Sequence, residues 1–298
     1  MKKKHLLDSV QGRVLMCDGA MGTMLQAEGL SAGECPEYWN LTKPEIVTGI
    51  HKKYIDAGAD MILSNTFGAN RMKLEKFNLD DKLKEINAAG IKNAKKAAAK
   101  GPVYVGGDIG PTGQMLEPYG FMTGEKAFET FAEQSEILAG AGADFIIVET
   151  MIAIEETVLA VKAAKSRTKL PILALMTFNL NNGDVRTVMG VDTETMAKQL
   201  EAAGADIIGA NCGYGIDSMI EIVKAIKKHT NRFVIAEPNA GLPVMKDGAV
   251  TYDGSPEIMA SHVEELIEAG ANIVGGCCGT TPDHIAQMKK MVERRNSK

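Results

Sequence analysis

The sequence has 298 residues, of which 45% are hydrophobic and 24% are charged, a composition typical of a globular protein. Its net charge of −5 gives no basic field for a phosphate backbone, so we expect no nucleic acid partner. No apolar run approaches the roughly 18 to 20 residues that span a bilayer, and no signal peptide follows the N-terminal lysines. We therefore expect no membrane segment and a cytoplasmic location.

Eight short apolar runs along the chain are predicted to be buried β-strands. Four of them follow a repeated phrase, AGAD or AGAN, in which a glycine suited to a helix C-terminus precedes the apolar residues. In chain order the runs are RVLMCDG near 13, MILSNTF near 61, VYVGGDIG near 103, FIIVET near 145, PILALMTF near 171, IIGANCG near 207, RFVIAEPNAG near 232 and NIVGGCCG near 272.

Amphipathic segments with helical spacing lie between these runs, and Thr42 is predicted to cap the helix that begins near Pro44. Eight β-α units in a chain of this length predict one (β/α)₈ TIM barrel, which forms a single domain over residues 1–298. A doubly wound open sheet is the competing fold, but no G-x-G-x-x-G motif opens the first helix.

Polar residues close most of the predicted strands. The active site of a (β/α)₈ barrel lies at the C-terminal ends of its strands, so these residues are the candidates for chemistry. They are Cys17, Asp18, Asn65, Thr66, Asp108, Glu149, Thr150, Asn179, Asn211, Cys212, Glu237, Asn239, Cys277 and Cys278.

Three of the five cysteines, Cys212, Cys277 and Cys278, close the sixth and eighth predicted strands. Three thiolates at the mouth of a cavity suit zinc, which is commonly tetrahedral with sulfur ligands. Neighbouring side chains on a regular strand point to opposite faces, so the backbone must leave the strand before Cys277. The glycines that flank the pair permit that bend. Three packed, reduced cysteines remain the alternative.

The remaining cysteines and the histidines are weaker candidates. Cys17 is expected to pack in the core and Cys35 to lie in a loop. A zinc site that used His284 is less favoured, because TPDH is typical of the capped first turn of the last helix. The other histidines are expected at the terminus or on helices, facing solvent or the edge of the core: His5, His51, His229 and His262.

A zinc ion with three thiolates has a formal charge of −1, which favours holding a fourth thiol as a nucleophile over splitting water. Thiol alkylation is therefore the predicted reaction class. Asp18 and Glu149 could bind a substrate ammonium group, and the glycine-flanked amides after Asp18 could bind a carboxylate. Alternatively, Asp18 caps the following helix and Glu149 pairs with a lysine at the rim.

The residues that carry this chemistry match a known family. DGAMGT from Asp18, GANC ending at Cys212 and GGCCGTTPDHI from Gly275 make the chain resemble the zinc-dependent homocysteine S-methyltransferase domain over nearly its whole length. GPTGQMLEPYG and EPNAGLP look most like the homocysteine module of cobalamin-dependent methionine synthase. In the full synthase, folate-binding, corrinoid-binding and reactivation modules follow, whereas this sequence ends soon after its eighth helix.

The resemblance implies a set of site residues. Zinc would bind Cys212, Cys277 and Cys278, with the homocysteine sulfur as fourth ligand and the side-chain oxygen of Asn239 in its place when substrate is absent. Asp18 and Glu149 would bind the amino group. The substrate carboxylate would bind the amides near the residues Gly19 and Ala20, with Thr66 nearby.

The resemblance leaves the methyl donor open. We favour methylation of homocysteine to methionine by methylcobalamin carried on a separate corrinoid protein or module, which needs the open rim that short strand-helix loops would offer. S-methylmethionine or betaine are alternative donors, and such cations usually require an aromatic box. Residues that could line part of one are Tyr38, Trp39, Phe67, Tyr119 and Phe121. A hypothesis from another class is an inert, zinc-holding subunit of a larger methyltransferase complex.

Overall fold

The chain folds around a cylinder of parallel strands. The computed structural model describes residues 4–246 and 249–297. In chain order the strands are β1 (Leu15–Met16), β2 (Met61–Leu63), β3 (Tyr104–Ile109), β4 (Phe145–Met151), β5 (Ile172–Met176), β6 (Asn179–Asn181), β7 (Asp184–Arg186), β8 (Ile207–Asn211), β9 (Phe233–Glu237), β10 (Pro243–Lys246), β11 (Ala249–Tyr252) and β12 (Ile273–Val274).

Eight of these strands form one sheet in the order β1-β12-β9-β8-β5-β4-β3-β2, and every neighbouring pair is parallel. The sheet closes where β1 meets β2, because the Asp60 amide donates to the Met16 carbonyl at 2.7 Å. At the same seam the Leu63 amide donates to Asp18 Oδ2 at 2.9 Å. The predicted (β/α)₈ barrel is confirmed, and the sixth and eighth predicted strands are β8 and β12.

Helices follow the strands and cover the outside of the barrel. They are α1 (Leu6–Gly12), α2 (Gly22–Ala27), α3 (Trp39–Thr42), α4 (Pro44–Asp56), α5 (Arg71–Leu74), α6 (Leu83–Ala97), α7 (Gly124–Gly140), α8 (Ile154–Arg167), α9 (Thr193–Ala203), α10 (Ile216–Lys227), α11 (Pro256–Ser261), α12 (Val263–Glu268) and α13 (Pro282–Asn296). Short 3₁₀ turns span Pro36–Tyr38, Glu75–Phe77, Asp80–Lys82 and Ala98–Lys100. None of the helices within the described residues has the length and hydropathy needed to cross a membrane.

Two details of the helices differ from the sequence-based expectation. Lys43, and not Thr42, occupies the cap position of α4, because Thr42 ends α3 and its hydroxyl donates to the Tyr38 carbonyl. His51 is completely buried on α4, where neither ring nitrogen has a hydrogen-bond partner among the described residues. The expectation of a solvent-facing or core-edge position for His51 is therefore wrong.

Alternation along the strands divides the core into two layers. Leu173 and Leu175 of β5 point into the barrel, whereas the alternate residues Ile172, Ala174 and Met176 pack against the outer helices. Leu6 and Val10 of α1 belong to the interior layer and close the barrel at the N-terminal ends of the strands. The opposite end therefore remains as the accessible end of the barrel.

That C-terminal end carries long connections, contrary to the expectation of short strand-helix loops. Residues 110–123 join β3 to α7, the β6–β7 hairpin follows β5, and the β10–β11 hairpin follows β9. The rim of the barrel is therefore raised on the sides of β3, β5 and β9.

Candidate active site

A cavity of about 360 Å³ opens at the C-terminal ends of the strands. Its lining combines the three cysteines predicted to bind metal with four acidic residues at strand ends, namely Asp18, Asp108, Glu149 and Glu237. Larger grooves lie between outer helices, but they contain no cysteine. The sequence-predicted chemistry is therefore concentrated in this one cavity.

Cys212, Cys277 and Cys278 converge at the edge of the cavity. The Sγ atom of Cys278 lies 4.0 Å from that of Cys212 and 4.0 Å from that of Cys277. All three sulfurs lie within 4.8 Å of one another. A tetrahedral ion with metal–sulfur bonds of about 2.3 Å separates its sulfurs by about 3.8 Å, so the arrangement fits zinc.

The backbone places these sulfurs by leaving regular strand geometry. Strand β12 ends at Val274, so Cys277 and Cys278 lie in irregular backbone, as the sequence predicted. Cys212 follows β8 with a φ of +62°, in the left-handed region that residues with side chains rarely adopt. Gly279 has a φ of +81°, and a Cβ there would lie 2.2 Å from the Tyr252 ring.

Backbone hydrogen bonds join the three loops that carry the cysteines and Asn239. The Cys212 amide donates to the Glu237 carbonyl at 3.1 Å, and the Cys277 amide donates to the Pro238 carbonyl at 2.8 Å. The Ala240 amide donates to the Cys278 carbonyl at 2.9 Å. These main-chain contacts therefore fix the backbone that carries the three cysteines and Asn239.

The cysteine thiols of the cluster differ in pKa. Hydrogen bonds from Cys277 and Cys278 lower the pKa of Cys212 to about 3, whereas the bond with Cys212 raises the pKa of Cys278 to about 11. The cluster is therefore poised to hold one thiolate, with the other protons released when a metal binds. The hydroxyl of Tyr252, which the sequence did not indicate, donates to the Cys278 sulfur.

Asn239 lies beside this cluster. Its side chain hydrogen-bonds to Cys212, and within the described residues its buried Oδ1 atom has no partner. A buried amide oxygen without a donor is unusual. A metal at the three sulfurs would give this oxygen a partner.

Asp18 is buried at the end of β1. Its Oδ2 atom accepts from the Leu63 amide and its Oδ1 atom lies 3.6 Å from the Cys17 sulfur. It does not cap α2, whose cap position is Met21. Burial raises the pKa of Asp18 to about 8.

Glu149 is held within the cavity wall at the end of β4. Its carboxylate accepts a hydrogen bond from the side-chain amide of Asn211, and that amide also contacts the Thr150 hydroxyl and the Cys277 sulfur. Within the described residues Glu149 forms no salt bridge with a lysine at the rim; its titratable neighbours include Asp108 and Cys212. Burial raises the pKa of Glu149 to about 7.

The other residues predicted to lie near the substrate differ in whether they reach the cavity. Gly19 and Ala20 line the cavity, but the Ala20 amide already donates to Thr280 Oγ1 at 3.1 Å. Thr66 is fully buried behind the lining, where its hydroxyl donates to the Asp108 carbonyl at 2.8 Å. Its hydroxyl therefore supports the end of β3.

Several residues considered from the sequence do not line the cavity. Cys17 packs in the barrel interior as expected, and Cys35 is buried in a loop with its thiol donating to Glu37. The His284 ring bonds to Thr281 in the cap of α13 and to the Gly254 carbonyl. The predicted cap at the start of the last helix is confirmed.

The five aromatic candidates, all of them among the described residues, do not form a box around the cavity. Of the five candidates, only Phe67 lines it, and Lys73 already lies over that ring at 4.4 Å. Trp39 is buried in the core under Lys43. Tyr119 and Phe121 are exposed on the loop after β3.

Comparison with known proteins decides the family. Residues 15–292 match homocysteine S-methyltransferase. The chain belongs to this homocysteine S-methyltransferase family. The resemblance predicted from the DGAMGT, GANC and GGCCGTTPDHI motifs is thereby confirmed.

Relatives of this homocysteine S-methyltransferase chain include methionine synthases. The Mycobacterium leprae enzyme is 32% identical over 308 residues, which cover 98% of this chain and 25% of that protein. The Mycobacterium tuberculosis enzyme is 32% identical over 304 residues, with 96% and 25% covered. The chain thus spans about a quarter of the length of these curated relatives.

Solved structures show the same fold. The metallated form of the homocysteine methyltransferase MmuM from Escherichia coli has a TM-score of 0.78 and 22% identity, with 96% of this chain and 98% of that chain covered. The oxidized form of the same enzyme has a TM-score of 0.78 and 23% identity, with the same coverage. At this identity the likeness supports the barrel alone.

Proposed function

We propose that residues 1–298 form a homocysteine-binding domain that methylates homocysteine to methionine with the help of zinc. The observation that carries the proposal is the convergence of three sulfurs at one cavity with Asp18 and Glu149. Family membership and the likeness to methionine synthases support the choice of substrate. The cytosol suits this chemistry because its reducing conditions keep the three thiols available.

Cys212, Cys277 and Cys278 would hold the zinc ion, with Asn239 Oδ1 as the nearby oxygen donor before substrate binds. When bound, zinc supplies a position at which a substrate thiol is kept as a thiolate at neutral pH. The main-chain bonds between the three loops keep the cysteines in place while the fourth position exchanges. The left-handed Cys212 residue directs its sulfur toward the other two.

Asp18 and Glu149 would bind the ammonium group of homocysteine. Both carboxyl groups line the cavity, and burial strengthens their attraction for a cation by excluding water. The turn after Asp18, with Gly19 and the residues that begin α2, would face the substrate carboxylate. The acidic pair would bind the ammonium, the turn would bind the carboxylate and the metal site would bind the sulfur. Three contacts of this kind fix the substrate in one orientation.

The methyl donor we propose is methylcobalamin on a corrinoid protein or module, which docks on the rim. Among the described residues, nine of the eleven large hydrophobic side chains that are exposed belong to loops after β3, β4, β5 and β9. We call this set the apolar rim: Met115, Tyr119, Phe121, Ile152, Val188, Met189, Leu242, Val244 and Met245. Exposed apolar side chains gathered at one end of a protein mark an interaction surface. The missing aromatic box argues against small cationic donors.

Mixing the reduced, zinc-loaded protein with homocysteine and free methylcobalamin tests the proposal. We expect the methyl–cobalt absorbance to fall as methionine forms. Cys277→Ala should abolish the reaction, whereas Cys35→Ala, which removes a buried thiol outside the three-cysteine cluster, should keep it. A reaction with S-methylmethionine or betaine, and none with methylcobalamin, would show that the small cation is the methyl donor and that methylcobalamin is not. No reaction and no entry of homocysteine into the metal sphere would indicate an inert, zinc-holding subunit.

A further inference from the structure

Asp108 is a buried acid in the cavity wall to which the proposed function gives no role. It lies near the end of β3, is 6% exposed and lines the cavity. Its Oδ1 atom is buried and has no hydrogen-bond partner among the described residues. A buried polar atom without a partner is unusual and calls for an explanation, and the residue that carries it lines the cavity.

The carboxyl group of Asp108 also hydrogen-bonds to that of Glu149. Two carboxyl groups can form such a bond only when one of them carries a proton. Glu149 accepts further hydrogen bonds from Asn211 and Thr150, which stabilise its ionised form. Burial raises the pKa of Asp108 well above its usual range, so the shared proton belongs to Asp108.

The backbone of Asp108 is fixed independently of its side chain. Its amide donates to Ser64 Oγ at 3.3 Å, and its carbonyl accepts from Thr66 Oγ1 at 2.8 Å. A substitution that keeps the size of the side chain should therefore leave β3 in place. The carboxyl group itself can be tested without moving the strand.

We propose that Asp108 is a third member of the amino-group site and acts as a neutral acid. Its proton is donated to Glu149, which holds that carboxylate toward the cavity, and its remaining acceptor oxygen receives one N–H of the substrate ammonium. This assignment rests on the proposed function, since it concerns the same substrate. It also explains how another acid can border the ammonium without adding a further negative charge beside Asp18 and Glu149.

An amide can replace a neutral acid, because it has one donor end and one acceptor end. The role therefore predicts that Asp108→Asn binds homocysteine nearly as well as the unmodified protein, within about threefold. Asp108→Ala, whose side chain has neither a hydrogen-bond donor nor an acceptor, should weaken homocysteine binding about tenfold or more. A charged role would predict that the asparagine variant fails as badly as the alanine variant.

Titration calorimetry on zinc-loaded protein, with homocysteine and 4-mercaptobutanoate as ligands, separates these cases. The second compound keeps the thiol and the carboxylate and lacks only the amine. We expect Asp108→Ala to weaken homocysteine alone and to leave 4-mercaptobutanoate within about twofold. Equal weakening of both ligands, or failure of Asp108→Asn, would overturn the role of Asp108. If the unmodified protein shows no preference for homocysteine, the proposed substrate is itself wrong.

Discussion

The side-chain amide of Asn211 donates a hydrogen bond to the carboxylate of Glu149. The same nitrogen lies 3.8 Å from Cys277 Sγ, and Asn211 Oδ1 accepts from the Thr150 amide at 2.9 Å. One buried side chain at the end of β8 therefore connects the proposed amino-group site with the proposed metal site. Under the proposed function, this residue would set part of the distance between the substrate amine and the substrate sulfur.

Replacing Asn211 should consequently impair substrate binding more than zinc binding. In Asn211→Ala the Glu149 carboxylate loses a donor inside the protein, and an unsatisfied buried partner typically costs about 1–3 kcal/mol. We expect kcat/KM for homocysteine to fall about tenfold or more, with zinc content unchanged. Asn231→Ala, on the exposed surface, is the control and should match the unmodified protein. Unaltered kinetics in Asn211→Ala would contradict the connecting role.

The preference for an amine should depend on pH. Burial raises the pKa of Asp18 to about 8 and that of Glu149 to about 7, so both groups take up protons as the pH falls through these values. A protonated carboxyl group no longer attracts an ammonium ion. We expect the affinity ratio of homocysteine to 4-mercaptobutanoate to fall from pH 8 to pH 6. A constant ratio across this range would contradict the assignment of these two acids.

His51 should make the protein sensitive to acid. Burial lowers its pKa from 6.5 to about 4, so the unfolded chain binds a proton at a higher pH than the folded chain does. The stability that depends on neutral His51 is complete above about pH 6.5 and is lost as the pH falls toward 4, about 2 kcal/mol being lost by pH 5.

Replacing His51 with leucine, a neutral residue suited to a buried helix position, tests this. Urea unfolding of metal-free, reduced protein at pH 7 and pH 5 should show a smaller loss of stability in His51→Leu than in the unmodified chain. His5→Leu changes an exposed histidine and should behave like the unmodified protein. Parallel losses in all three proteins would show that His51 does not control the acid response.

The apolar rim should be needed only when the donor is carried on a protein. In the double variant Phe121→Ser, Met245→Ser, two of its exposed side chains lose their apolar surface. With the corrinoid-binding module of a methionine synthase as donor, we expect KM to rise about tenfold, because a few apolar anchors dominate such interfaces. With free methylcobalamin the rate should stay within about twofold. Phe77→Ser, outside the rim, is the control.

The sequence predicted those features that follow from local pattern. Alternation of apolar runs with amphipathic segments identified all eight strands of the barrel, and the polar residues that close them do line the cavity in most cases. The adjacent Cys277 and Cys278 indicated irregular backbone, because a regular strand would separate their side chains. These inferences depended on neighbours in sequence.

The features that escaped prediction depend on residues that are distant in sequence. The hydroxyl of Thr280 accepts a hydrogen bond from the Ala20 amide, 260 residues away, and the Asn211 side chain donates one to Glu149, 62 residues away. Asn211 was recognised as a strand-closing residue, but no pattern showed which side chain it contacts. Complete burial of His51 was missed because one polar residue on the apolar face of a helix carries no signal of depth.

Zinc X-ray absorption with and without homocysteine tests the central claim most directly. The account predicts three sulfur neighbours and one oxygen or nitrogen neighbour in the substrate-free protein, changing to four sulfurs when homocysteine is added. An unchanged metal sphere in the presence of saturating homocysteine would contradict the claim that this site activates the substrate thiol.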